Sequence, residues 1–159
     1  MNRRFPSWIP ALLLVSAPLL AAPPAAPSAA APAAPTTIPA PADVAAPRAG
    51  AQATASGLAS KVLTPGTGTD HPVATDLVKV DYTGWTTDGK MFDSSYAKGT
   101  ASTFELTKVI AGWTEGLQMM TEGESRRFWI PSRQAYDGAT GKPKGMLVFD
   151  ITLLEIVKE

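Results

Sequence analysis

Apolar and polar residues alternate along one stretch in the carboxyl-terminal part of the chain. In DLVKVDYTGW (76–85), the apolar residues Val78, Val80 and Tyr82 are separated by polar ones. Because successive side chains of a β-strand point to opposite faces of a sheet, this spacing is typical of a half-buried strand. We therefore predict that these three side chains share the buried face of a sheet.

A second strand is expected directly after the first. The intervening residues TDGK (87–90) contain an Asp-Gly pair, which is a strong short-range signal for a β-hairpin. The following strand carries Met91 and Phe92, and DSS (93–95) interrupts its alternation. The interruption predicts a β-bulge, which would turn the neighbouring side chains in new directions.

One stretch has a helical period. Ile110, Trp113, Leu117 and Met120 follow one another at intervals of three, four and three residues, and Gly123 comes after them. This spacing predicts a short amphipathic helix that the glycine ends. The ordinary role of such a face is packing on a sheet, which does not exclude a second role for the tryptophan.

Further strands are expected before and after these elements. They fall in residues 56–68, 123–131 and 145–157. Several antiparallel strands with one short helix predict an α+β domain in which the helix lies on one face of the sheet.

Composition separates a linker from a folded domain in the chain after its first 20 residues. Residues 21–57 contain 17 Ala and 8 Pro and no aromatic residue, whereas residues 58–159 hold 10 of the 12 aromatic residues. A segment that is so poor in large apolar side chains cannot offset its ordering entropy. We expect residues 22–57 to form a disordered linker and residues 58–159 to form the folded domain.

The amino terminus has the layout of a secretory signal peptide. Arg3 and Arg4 precede the apolar run WIPALLLVSAPLLAA, which ends in small residues. The layout predicts a signal peptide at residues 1–21 and export to the periplasm or cell envelope. The alternative is an uncleaved membrane anchor, in which case the domain is also exported and touches the membrane only through this segment.

Charge and residue content exclude several classes of function. The sequence contains no cysteine, and residues 58–159 carry 11 basic and 13 acidic side chains, a formal charge of −2. This charge is no footprint for nucleic acid, and the absence of thiols excludes thiol catalysis and zinc-thiolate sites. His71 is the one histidine and is interpreted as a surface turn residue rather than a metal ligand. No cofactor and no metal are expected.

Several motifs occur together in a recognisable order. VDYTGWTTDGKMFDSS is followed by VIAGWTEGLQMM, AYDGATG and LVFDITLLEI. In order and spacing these segments resemble the FKBP-type peptidyl-prolyl cis-trans isomerases over residues 58–159. The resemblance implies a curved antiparallel sheet of five or six strands wrapped around one short helix. It also implies a shallow apolar pocket between the helix and the sheet.

The resemblance carries a set of site residues onto this chain. The walls and rim of the pocket would be formed by Tyr82, Phe92, Phe149, Val109 and Ile110. Trp113 would be the floor of the pocket, and Asp93 would lie at its edge. The Ile110 backbone N–H would hold one substrate carbonyl and the Tyr136 hydroxyl a second.

The implied function is isomerisation of Xaa-Pro bonds in exported proteins, with proline-containing polypeptides as substrates. One alternative is a module of the same fold that binds peptides without turnover, and another is an adaptor that the linker tethers to a membrane or larger assembly. The chain is expected to be a monomer.

The chain departs from the family pattern at three places. Ser102 stands where many relatives carry a further pocket aromatic, and KPKGM (142–146) replaces a longer flap. We expect Met146 to fill part of the resulting gap, Lys142 and Lys144 to make this edge basic, and macrolide inhibitors to bind weakly. Asp137 separates Tyr136 from the glycine that usually follows it, which predicts a displaced tyrosine hydroxyl.

Overall fold

Seven strands form one antiparallel sheet in the computed structural model, which describes residues 37–158. The strands are β1 (Gln52–Ala53), β2 (Ala59–Thr64), β3 (Leu77–Thr86), β4 (Met91–Ser94), β5 (Ser102–Glu105), β6 (Ser125–Ile130) and β7 (Leu147–Val157). Their order is β1-β2-β6-β7-β3-β4, and β5 pairs with the other half of the β3 edge that β4 occupies. The predicted antiparallel α+β fold is therefore confirmed, and β1 adds a strand to the expected five or six.

The inner face of the sheet packs on one helix, α2 (Ala111–Leu117). The predicted alternation in β3 is confirmed, because Val78, Val80 and Tyr82 are all buried in the core beneath this helix. Strand β7 adds every second residue to the same core, and the buried members of that row are Leu147, Phe149, Ile151 and Leu153. The helix ends before the predicted stop, and Met120 is buried from the turn that follows it.

Two glycines allow α2 to lie close to β6. A methyl group added at Gly112 would come within 2.4 Å of Ile130 Cγ2, and one at Gly116 within 2.7 Å of Phe128 Cε1. Residues 112 and 116 are four apart and share a helix face. This face sets the distance between helix and sheet.

The predicted hairpin between β3 and β4 is confirmed. The Lys90 carbonyl accepts from the Thr86 N–H at 2.9 Å, and Gly89 has a positive φ of 85°. The predicted bulge is also present, one residue earlier than the interrupted alternation indicated. Gly84 pairs with Asp93 and Trp85 with Met91, so Phe92 is the extra residue.

A single-turn helix, α1 (Ser95–Lys98), follows β4 and was not predicted. The Ser94 hydroxyl accepts from the Ala97 N–H and caps its amino terminus, while Gly99 ends it with φ 72°. Ser94 therefore ends a strand and begins a helix, a double role that periodicity does not reveal.

The sequence predicts a disordered linker in the amino-terminal segment (residues 37–53). Instead, its residues 38–51 lie against the outer face of the sheet, and β1 pairs with β2 at the sheet edge. The indole N–H of Trp85 donates to the Ile38 carbonyl, and that of Trp129 to the Asp43 carbonyl, both at 2.9 Å. Both tryptophans are buried, and a buried indole N–H usually has an acceptor. Backbone carbonyls of an Ala/Pro-rich segment supply these acceptors without large apolar side chains, which composition alone does not reveal.

The predicted signal peptide and the first part of the predicted linker lie outside the described residues. No helix in residues 37–158 is long and apolar enough to cross a membrane. The helices there are α1, α2 and two 3-10 helices, Leu106–Lys108 and Ser132–Gln134.

Candidate functional site

A cavity of about 280 Å³ opens between α2 and the inner face of the sheet. We call it the aromatic cavity. Its lining residues are Tyr82, Phe92, Asp93, Phe104, Lys108, Val109, Ile110, Trp113, Tyr136, Lys142 and Phe149. The structure therefore brings together all eight side chains that the sequence analysis proposed for the site.

Trp113 forms the floor of the aromatic cavity. It lies on the sheet-facing side of α2 and is 5% exposed. Three rings meet it edge-on, Tyr82 at 5.1 Å, Phe149 at 5.3 Å and Phe104 at 5.4 Å between ring centroids. Edge-to-face contacts at these distances stabilise aromatic clusters beyond simple burial, so the floor is held from three sides.

Phe92 and Phe149 form one wall. Their rings are perpendicular with centroids 5.4 Å apart. The wall is possible because Gly84 lies beneath it, where an added methyl group would come within 2.7 Å of both rings. The extra residue in β4 turns both Phe92 and Asp93 toward the cavity, although neighbours on a regular strand would face opposite ways.

Asp93 is held at the cavity edge by two side-chain donors and by the Ser94 backbone N–H, which donates to Oδ1 at 2.9 Å. The Tyr82 hydroxyl donates to Asp93 Oδ2 at 2.7 Å, and Lys98 Nζ lies 2.6 Å from Oδ1. Partial burial acts to raise the pKa of Asp93, but the hydrogen bonds from Lys98 and Tyr82 outweigh it and keep the pKa below the ordinary value of 3.8. Burial, and then the bond to Asp93, raise the pKa of Tyr82 above 10.0. The carboxylate is therefore charged, and the tyrosine keeps its proton, at neutral pH.

Val109 and Ile110 form the rim at the start of α2. The Ile110 carbonyl accepts from the N–H groups of Trp113 and Thr114 at 2.9 and 3.1 Å. The Ile110 N–H has no acceptor among residues 37–158. Ile110 also lines the cavity.

Tyr136 is a further lining residue of the cavity. Asp137 after it has φ 42°, a left-handed conformation that Asp tolerates. Tyr136 lines the cavity directly before this turn, and the displacement of its hydroxyl stays a prediction. Burial, and then the charge of Asp93, raise the pKa of Tyr136 above 10.0, so its hydroxyl stays a donor at neutral pH.

The short segment 142–146 closes the cavity only in part. Lys142 lines the cavity and gives this edge the positive charge that the sequence predicts. Its Nζ lies 5.3 Å from the centroid of the Tyr136 ring. The expectation for Met146 is wrong. Met146 packs on the cluster that contains Trp129 and Val148 at the outer face of the sheet, as its spacing of two residues from Val148 favours in extended backbone.

Three lining or supporting residues were missed by the sequence analysis. Phe104 contacts Tyr82 and Trp113, Lys108 lines the cavity, and Lys98 pairs with Asp93. The signal for Phe104 was its position between polar residues in TFEL (103–106), but a strand of four residues is too short for periodicity to identify. Lys98 was missed because its position beside Asp93 depends on helix α1, which the sequence did not predict.

The structure also tests for metal ligands within its described part. No three His, Asp or Glu side chains of residues 37–158 lie close enough together to hold a metal ion.

Known proteins similar to this chain share both its sequence and its fold. Residues 68–154 match the family model described as FKBP-type peptidyl-prolyl cis-trans isomerase. A protein named FKBP-type peptidyl-prolyl cis-trans isomerase FkpA from Aeromonas hydrophila is 49% identical over 116 residues, which are 71% of this chain and 43% of that protein. The outer membrane protein MIP of Legionella longbeachae is 39% identical over 107 residues, which are 65% of this chain and 46% of that protein.

A solved structure gives the same result for the fold. The crystal structure of a peptidyl-prolyl cis-trans isomerase from Pseudomonas syringae pv. tomato has a TM-score of 0.64 and 41% sequence identity, and the match covers 70% of this chain and 84% of that one. The chain spans less than half the length of the two relatives named above.

Proposed function

The chain belongs to the FKBP-type peptidyl-prolyl cis-trans isomerase family, and on that premise we propose that it accelerates rotation about Xaa-Pro bonds in exported proteins. The observation that carries the proposal is the convergence of Tyr82, Phe92, Trp113 and Phe149 on one cavity whose edge holds Asp93 and Tyr136. A proline ring is apolar and compact, and such a cavity suits it.

The reaction makes modest demands on the protein. Rotation about a peptide bond has a barrier of about 18–20 kcal/mol, so an Xaa-Pro bond isomerises in tens to hundreds of seconds. Millisecond turnover requires an acceleration on the order of 10⁵-fold, or roughly 7 kcal/mol. No covalent bond breaks, so neither a nucleophile nor a proton carrier is required.

A dry aromatic cavity lowers this barrier by a difference in solvation. Twisting the amide removes its charge separation, and water stabilises the planar dipolar state better than the twisted one. A cavity that replaces water with aromatic rings therefore favours the transition state relative to the ground state. The buried floor formed by Trp113 and the wall of Phe92 and Phe149 support this role.

Fixed donors hold the substrate while its amide rotates. We assign the Ile110 N–H to one substrate carbonyl and the Tyr136 hydroxyl to a second. Asp93 acts as a fixed dipole at the edge of the cavity and positions the hydroxyl of Tyr82, to which it is bonded at 2.7 Å. Its depressed pKa supports a charged, acceptor-only role.

One observation favours a second candidate function. Lys142 contributes to the closing edge while Met146 faces the outer side of the sheet, so the cavity is open along segment 142–146. A more open cavity holds water and rotates the amide less effectively, which favours a module that binds proline-containing segments without turnover. The same openness underlies our proposal that macrolide inhibitors bind weakly.

The site of action follows from the amino terminus. The signal-like residues 1–21 support export, and we propose that the protein works as a monomer in the periplasm or cell envelope, where it assists the folding of other exported proteins.

The test is the isomerisation rate of a short Xaa-Pro peptide with the full-length chain and with Asp93→Ala and Tyr136→Phe variants. We expect clear acceleration by the parent chain and a loss of about ten-fold or more in each variant, the range in which positioned groups act. Lys79→Ala, a change at an exposed position on the outer side of β3, is the control and keeps the parent rate. If the parent chain shifts the NMR signals of the peptide without accelerating isomerisation, the binding module is the correct function.

A further inference from the structure

A second cavity adjoins the aromatic cavity on the side of residues 136–143. We call it the side cavity, and its volume is about 390 Å³. The lining residues common to both cavities are Phe92, Asp93, Tyr136 and Lys142, and the side cavity adds Gly141 and Pro143. An extended peptide advances about 3.3 Å per residue. A peptide with its proline in the aromatic cavity therefore has a neighbouring residue within reach of the side cavity.

The lysines around the two cavities differ in their partners. Lys98 pairs with Asp93, and Lys108 pairs with Glu105. Lys142 forms no ion pair with any carboxylate in the part of the chain from 37 to 158. Its ammonium group lies over the Tyr136 ring instead.

The shared wall therefore has an excess of positive charge. Asp93 and Lys98 cancel each other, since they are 2.6 Å apart, and Lys142 adds one uncompensated charge. Asp137, the acidic residue nearest to Lys142 along the chain, lines neither cavity. An anionic side chain in the side cavity would meet an exposed ammonium group and a carboxylate that is already paired.

We propose that the side cavity is a subsite for an acidic residue next to the substrate proline, and that Lys142 selects this residue. The inference rests on the proposed function, because the proline must occupy the aromatic cavity. It predicts that, among proline-containing polypeptides, those with Asp or Glu directly before or after proline are the preferred substrates.

The expected preference is small and sensitive to salt. Exposed ion pairs contribute little each, so replacing Gln by Glu beside the proline should raise kcat/KM by roughly two- to five-fold at low ionic strength. At about 1 M salt the screening length falls to about 3 Å, and the preference should disappear.

The experiment compares peptides that differ only in Glu, Gln or Lys at the position before or after proline. With the full-length chain we expect kcat/KM to fall in the order Glu, Gln, Lys at one of the two positions. Lys142→Gln should bring the Glu-to-Gln ratio to about one, and Lys142→Glu should reverse it. Lys144→Gln removes the same charge from the same segment at a residue that lines neither cavity, and it should keep most of the preference.

A Glu-to-Gln ratio of one at both positions at low salt overturns the inference, as does a preference that survives in Lys142→Gln. If no peptide is isomerised faster than in buffer, the enzyme proposal fails, and the same peptides are compared by NMR titration. A Kd that favours Glu and loses this preference in Lys142→Gln supports the subsite, whereas equal Kd values refute it.

Discussion

Gly84 shows how one missing side chain shapes the aromatic cavity. Phe92 and Phe149 meet at right angles above it, and an added methyl group would contact both rings at 2.7 Å. Such a contact is shorter than carbon atoms tolerate, so one or both rings must move away from the substrate.

We predict that Gly84→Ala lowers kcat/KM by about ten- to hundred-fold, because small displacements of positioning groups have effects of this size. The measurement is peptide isomerisation, with circular dichroism to show that the sheet is retained. In the double variant Gly84→Ala/Phe149→Leu the smaller side chain relieves the contact at residue 149 but not the one with Phe92, so the combined loss should be less than the product of the two single losses. Independent effects of the two changes would contradict this explanation.

The titratable groups of the cavity predict a flat pH profile. The pKa of Asp93 lies below 3.8, and those of Tyr82 and Tyr136 lie above 10.0. None of the three changes charge between about pH 5 and 9, and the proposed reaction transfers no proton. We expect kcat/KM to be constant over this range, and a bell-shaped profile centred near neutrality would refute the mechanism.

Acid should also affect stability through Asp93. The pKa of this carboxyl is lower in the folded chain than in the unfolded chain. Its contribution to stability is therefore fully present above the unfolded value and is lost as the pH falls through the folded value. Urea denaturation of the parent chain and Asp93→Asn should show a difference in stability at pH 6 that shrinks below about pH 4.

Individual cavity residues were predictable to different degrees. Alternation places Tyr82 on the inner face of β3, and helical spacing places Trp113 on the packed face of α2. Neither pattern brings the two rings to 5.1 Å, and only the family resemblance joined them in one site. Phe104 was missed because its position depends on the pairing of β5 with β3, in which Phe104 lies opposite Val78. The two residues are far apart in the sequence, so local patterns do not predict this register.

At the scale of elements, the distance between α2 and β6 depends on glycine. We predict that Gly116→Ala destabilises the fold by about 1–3 kcal/mol through overpacking against Phe128, although alanine favours a helix by about 1 kcal/mol over glycine. Urea denaturation measures the difference. Ala111→Gly, at an exposed position of the same helix, is the control for propensity and should cost no more than about 1 kcal/mol. A stabilised Gly116→Ala variant would show that the helix can move outward freely.

Periodic elements were predictable because their signals are local. Strand β3, the Asp-Gly hairpin and α2 all follow from spacing within about ten residues of sequence. The exact place of the bulge was not predictable, because Phe92 is the extra residue only when Gly84 pairs with Asp93 across the two strands. The helix α1 was missed because its four residues are too few to show a period.

At the scale of the whole molecule, the amino-terminal segment contributes to the stability of the domain. Besides the two indole acceptors, Asp43 pairs with Arg127, which also binds Asp150 through two bonds of 2.6 and 2.7 Å. Composition predicted a linker here because it measures what a segment can bury, and not which groups elsewhere need partners.

We predict that a chain of residues 54–159 is less stable than one of residues 37–159 by about 1–3 kcal/mol, since it lacks two indole hydrogen bonds, the Asp43 pair and the short strand β1. Both chains retain Ser56, whose hydroxyl donates to Glu115 at 2.7 Å. Urea denaturation gives the difference. The isomerisation rates should agree within about two-fold, because the segment lies on the face opposite the cavity. Equal stability of the two chains would mean that the segment adds nothing to the fold.

The distribution of tryptophan gives the folded chain an optical probe on each face of its sheet. In residues 37–159, Trp113 reports from the cavity, while Trp85 and Trp129 report from beneath the amino-terminal segment. Indole emission depends on the polarity around the ring, so ligand binding and release of the segment would change the fluorescence of different residues. Replacing Trp85 and Trp129 with phenylalanine would leave an emission spectrum that reads occupancy of the cavity alone.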